Sequence, residues 1–212
     1  MDKDEKLSWK ERKDLVIEAG IASIPTVGGA LQTLYFGSKN EKRFKRIEMF
    51  YEELSDDLES VKEMLPNIYD IPNREEFLSL LESINDEVEK VSSQSKSGNY
   101  RKAYKNILLN SNKQSFENES FFIQILPSLT ELEIKFLYSL YQNKNNIGNP
   151  QEFVKGFSFS MELAQGSLNR LNNYGLVSKQ INGLSLGGSN SGEDAIFQIN
   201  DFGSEFIMFI FE

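Results

Sequence analysis

Apolar residues at Phe44, Ile47, Tyr51, Leu54, Leu58, Val61 and Leu65 alternate spacings of three and four without a break, and charged residues such as Lys45, Arg46, Glu52, Glu53, Asp56 and Asp57 fill the intervals. One apolar stripe on a charged cylinder is an amphipathic helix, predicted here from about Lys39 to Leu65. Pro66 and Pro72 bracket a break, and Asn73 is placed to cap a second helix in which Phe77, Leu81, Ile84, Val88 and Val91 repeat the alternation. Two such helices joined by a short turn suit an antiparallel intramolecular hairpin or bundle, and the same seam suits a coiled coil with another chain. The Ser/Gly run at 92–98 reads as a flexible link before a third helix carrying Tyr100, Ala103, Tyr104, Ile107 and Leu108. The polar residues 110–118 then mark the main boundary, giving a helical domain over 1–118 and a second domain over 119–212.

Beyond Ser120 the pattern changes. Phe121, Phe122, Ile125 and Leu126 form a short apolar helix stopped by Pro127, and Thr130 with Glu133 three residues later has the form of a capping box. The helix it opens carries Leu132, Phe136, Leu137, Leu140 and Tyr141 on one face. A brief helix around Phe153 follows, and then one capped by Ser160, with Leu163, Ala164, Leu168 and Leu171 inward and Gly175 at its end. Residues 176–181 and 195–199 read as strands around a Gly/Ser/Asn-rich tip, and Asp201 is placed to cap a last helix bearing Phe202, Phe206, Phe209 and Ile210. The predicted fold class is mainly α: an N-terminal helical hairpin or bundle, then a winged-helix domain with a small β-hairpin.

Chemistry is constrained by what the 212 residues lack, which is any histidine or cysteine. Nucleophile systems built on imidazole or thiol, ordinary zinc sites and disulfides are thereby excluded. The acidic pairs Glu52-Glu53, Asp56-Asp57 and Glu75-Glu76 are adjacent in sequence, so on a helix they diverge instead of converging on a substrate or metal. The glycine-rich run 187–192 lacks the Lys-Ser/Thr of a phosphate loop. No catalytic residue, metal ligand or cofactor is expected, and a non-enzymatic protein is.

A net charge of −9 bears on the partner. The third helix of a winged helix lies in the DNA major groove, which makes Gln165, Asn169, Arg170 and Asn173 on that helix and Lys179 on the first strand the candidate nucleic-acid or partner contacts. Duplex affinity comes largely from neutralised phosphates, yet the second half offers only Lys135, Lys144, Lys155, Arg170 and Lys179 among more numerous acids. Acidity therefore disfavours DNA and favours a protein partner or self-association.

Residues 19–36 carry no charge, contain Pro25 and the Gly28-Gly29 pair, and are followed by Lys39, Lys42, Arg43, Lys45 and Arg46. A docked helical segment with a bend accounts for this pattern; Ile24, Val27 and Leu31 are its candidate membrane or partner surface if the segment is peripheral. The charged start, Met1 to Lys13, has no secretory signal, and with the lack of cysteine it fits a cytoplasmic location.

Three segments together resemble the bacterial abortive-infection alpha family: residues 24–29 (Ile-Pro-Thr-Val-Gly-Gly), residues 122–133 from Phe122 to Glu133, and the closing pair of 168–177 and 199–206. The resemblance implies a cytoplasmic accessory protein of bacterial immunity against phage, and it transfers no active-site residue. The leading expectation is thus a non-enzymatic interaction or regulatory protein whose winged helix docks or senses a partner. The alternatives are a winged-helix DNA-binding transcriptional regulator and a membrane-associating effector acting through residues 19–36.

Overall fold

The computed structural model describes residues 41–59, 61–64, 70–143, 147–157, 159–181 and 195–212. The segment 19–36 with Ile24, Val27 and Leu31, the terminal residues Lys39 and Leu65 of the predicted Lys39–Leu65 helix, Lys144 and the tip at 182–194 lie outside the described residues; the α-helix itself is shorter than predicted, running over Glu41–Glu59, with Lys62–Met64 a separate 3-10 turn. The chain is mainly helical, with a small antiparallel sheet near its C-terminus, and it divides into two compact units between Ile123 and Gln124.

In the first unit, α1 (Glu41–Glu59), α2 (Arg74–Lys90) and α3 (Gln94–Leu109) each pack on the other two. The α1 stripe buries Ile47, Tyr51, Leu54 and Leu58 as the spacing predicts, and also Phe50, because a helix packed on two neighbours needs a wider apolar face than a two-helix seam. From α2 come Phe77, Leu80, Leu81, Ile84 and Val88; from α3 come Tyr100, Ala103, Tyr104, Ile107 and Leu108. Arg101 ties α3 to α1 by ion pairs with Glu53 and, at 2.5 Å, Asp57.

Three local expectations change. Val91 is the extended C-cap of α2 and does not continue its seam. The Ser/Gly run is mostly helix, because Ser93 Oγ accepts from Lys96 N at 3.3 Å and starts α3 at Gln94, leaving a link of three residues, Val91 to Ser93. Asn73 precedes α2, but its side chain accepts nothing from the helix backbone; its Nδ2 donates instead to Glu76 Oε2 and, at 3.3 Å, to Gln114 O. Glu76 Oε1 in turn accepts from Phe116 N at 3.2 Å, and the fully buried Phe116 ring lies 6.1 Å from that of Phe77. Residues 110–118 are thus fastened to the bundle, and the division between units falls later, within α4 (Glu117–Ile125).

The bundle core is rich in tyrosine. Tyr51 donates to Asn85 Oδ1 at 2.9 Å, its ring meets those of Phe50 and Tyr104 edge-on, and Tyr100 is also fully buried. Burial raises all three phenols, Tyr104 to about 12. Unfolded tyrosine titrates near 10, so ionisation favours the unfolded chain: the contribution is whole below pH ~10 and is lost as pH rises from there through the folded values. Urea midpoints of the whole chain should fall steeply between pH ~10 and ~12. Tyrosinate absorbance of these residues should appear only with unfolding; full titration in the folded chain would contradict their burial.

The second unit begins with a 3-10 turn, Leu126–Ser128, and α5 (Glu131–Gln142), opened by the predicted capping box. There follow β1 (Ile147–Gly148), α6 (Pro150–Phe157), α7 (Met161–Asn173), β2 (Val177–Ile181), β3 (Ala195–Ile199) and α8 (Asp201–Phe211). β3 is the central strand, antiparallel to both neighbours, pairing Phe197 with Lys179 and with Gly148. Its alternate residues Ala195, Phe197 and Ile199 are buried, so the sheet covers the core with one face.

Gly175 closes α7 with φ +72°, and Gly175 N→Asn172 O (2.9 Å) with Leu176 N→Leu171 O (3.1 Å) forms a Schellman motif. The residue that caps α8 is Asn200 and not Asp201. Asn200 Oδ1 accepts from Gly203 N at 2.8 Å while its Nδ2 donates to Gly175 O at 2.7 Å, so one side chain starts α8 and anchors it to the end of α7. At Gly203 the helix passes so close to this turn that a Cβ would stand 2.0 Å from Leu176 O, a backbone atom. Gly203→Ala should therefore cost about 2–3 kcal/mol in urea unfolding, whereas Gly166→Ala, where a Cβ meets nothing within 4 Å, should not destabilise. Equal midpoints for the two variants would refute this close approach.

Candidate partner-contact face of the second unit

The candidate contacts converge on α7 and β2, where two helix ends and a strand meet. The organising group is Glu133, a carboxylate only 1% exposed. Its Oε2 accepts from Thr130 N (2.7 Å) and Thr130 Oγ1 (3.0 Å), completing the capping box, and its Oε1 lies 3.2 Å from Arg170 Nη1. Arg170 Nη2 donates to Ser128 O at 2.8 Å. One guanidinium therefore binds α7 both to a carboxylate in the first turn of α5 and to a carbonyl in the turn that precedes it. A buried carboxylate matched in this way is stable, while one deprived of its donors is costly.

Sequence placed Arg170 on a reading face. In the fold it is part of the scaffold, with its side chain 45% exposed at the rim. Lys179 is engaged too: Nζ donates to Asn169 Oδ1 at 3.0 Å and sits 5.6 Å from the Phe197 ring centroid. Of the five candidates, Asn169, Arg170 and Lys179 are joined to partners within the unit; Gln165 is half-buried and Asn173 exposed. Between them α7 turns outward Glu162, Leu163 and Gly166, and Leu163, predicted to face the core, is 46% exposed. Phe159, just before the cap of α7, is exposed as well. The outward surface thus joins apolar and acidic side chains to an arginine and a strand lysine that are exposed yet bonded to partners within the unit.

Glu133 was visible in sequence only as the third residue of a capping box. Its ion pair was not, because nothing local links it to Arg170 far along the chain. Among the described residues, no group of three or more acidic side chains is arranged to hold a metal ion, and no helix is long and apolar enough to cross a membrane. Comparison with protein-family models, curated proteins and solved structures finds no match to the chain.

A double-mutant cycle tests the scaffold role. Glu133→Gln and Arg170→Met should each destabilise by about 1–2 kcal/mol, discounted for the exposure of Arg170, and the double variant should lose clearly less than the sum. Strict additivity would show that the pair contributes nothing.

Proposed function

We propose that the chain is a non-enzymatic interaction protein whose C-terminal unit is a winged helix used to dock a protein partner and not to read duplex DNA. The observation that supports this most is the capture of Arg170 by Glu133 and Ser128 O. Duplex binding depends on cations free to displace phosphate counterions. Lys179 has an internal acceptor, and the remaining described cations of this unit, Lys135 on α5 and Lys155 on α6, lie on other helices. What α7 offers outward, Leu163 beside Glu162, suits an apolar protein surface with cationic neighbours. Within the second unit the order α5, β1, α6, α7, β2, β3 supports the winged-helix reading, since α7 is then the third helix and runs into a hairpin. The sequence resemblance adds a role as an accessory protein of bacterial phage defence, and within that role we assign the sensing or docking to this unit.

An electrophoretic shift assay with a mixed-sequence duplex at low ionic strength tests the reading. The whole chain should bind more weakly than about 10⁻⁴ M, and Arg170→Ala should leave the result unchanged. Micromolar, salt-sensitive binding lost on Arg170→Ala would establish the regulator instead, and nucleotide turnover or nucleic-acid cleavage by the purified chain would contradict the non-enzymatic assignment.

A further inference from the structure

The helical bundle of the first unit holds a cavity of about 230 Å³ bounded by α1, the end of α2 and the start of α3. Its walls are of two kinds. Met49, Phe50, Val88 and Val91 make an apolar side; Arg46, with Ser92, Ser93, Gln94 and Ser97, makes a polar one. Arg46 is the telling residue, since its Nε is buried without a hydrogen-bond partner. A guanidinium N–H withdrawn from water and left unmatched is costly, and an acceptor inside the cavity would satisfy it. The one carboxylate on the lining, Glu53, is already held by Arg101.

We infer that this cavity binds a small monocarboxylate with a short apolar tail, the carboxylate on Arg46 and the Ser92 and Ser97 hydroxyls, the tail against Met49, Phe50, Val88 and Val91. Size and charge choose this class. Sites for drug-sized molecules run to about 300–1,000 Å³, so 230 Å³ excludes a nucleotide or a long lipid. Arginine's planar fork matches a carboxylate in two bonds, and the wall of Met49, Phe50, Val88 and Val91 suits a hydrocarbon tail that a bare phosphate lacks. Glu53 on the rim further disfavours a dianion over a monoanion. The bundle would then sense a small acid, independently of what the second unit docks.

Calorimetric and methyl-NMR titrations of the whole chain with hexanoate, 1-hexanol and inorganic phosphate test the inference. Hexanoate should bind saturably and shift the Met49 and Val91 methyl signals, hexanol should bind more weakly, and phosphate should not compete. Arg46→Met should weaken hexanoate about tenfold or more, the loss of one charge-assisted contact pair. Met49→Glu, a change at a side chain already 46% exposed, should weaken it too without unfolding the bundle, as circular dichroism would verify. Absence of hexanoate binding at millimolar concentration, equal binding by Arg46→Met in its folded form, or displacement of hexanoate by phosphate would each overturn it.

Discussion

A carboxylate taken out of water must be met by donors, and in the second unit that requirement falls on Glu133. Thr130 supplies a backbone and a hydroxyl donor, and Arg170 supplies a guanidinium. The consequence reaches beyond helix capping. Because Arg170 also binds Ser128 O, the 3-10 turn, α5 and α7 are fixed to one another through a single charged cluster. From there the Schellman turn at Gly175 leads α7 into β2, and Asn200 and Gly203 press α8 against that same turn. The functional reading depends on this cluster as well, since a guanidinium committed to a buried acid is withdrawn from phosphate.

The first unit solves a related problem with neutral groups. Its three helices bury Tyr51, Tyr100 and Tyr104 together with Asn85, so its core is held by aromatic packing and the Tyr51–Asn85 hydrogen bond, with the ion pairs of Arg101 at the edge. Burial favours the neutral form of each phenol, which confines the pH sensitivity of this core to the alkaline range. Arg46 differs from these neutral groups, a cation with a buried unmatched N–H beside an apolar wall, and the proposed ligand site rests on that mismatch.

Periodicity made the helices legible. The α1 and α2 stripes, the Thr130–Glu133 box, the Ser160 cap and the left-handed Gly175 all stand where local spacing puts them. What spacing missed is tertiary. Asn73 and Glu76 are turned from capping to holding Gln114 and Phe116, residues that read as a polar boundary until a distant partner is seen. Asn200 outcompetes Asp201 as a cap because its amide can both accept from Gly203 and donate to Gly175 O, which a carboxylate cannot. Leu163 matched the apolar period of α7 and yet faces outward, and Arg170 matched a reading face and yet faces Glu133. Ala164, Leu168 and Leu171 are buried as the spacing predicts, so the helix and its inward face were legible; the departure at Leu163 and the pairing of Arg170 are set by neighbours remote in sequence.

Arg170 belongs to the scaffold of the second unit, joined to Glu133 and Ser128 O. Its side-chain Nε–Hε resonance reports on this directly. In the whole chain at low ionic strength, that signal should change when Glu133 is replaced by Gln and should stay unmoved through a titration with duplex DNA. A signal indifferent to Glu133→Gln but shifted by duplex would contradict the account and return Arg170 to the reading face.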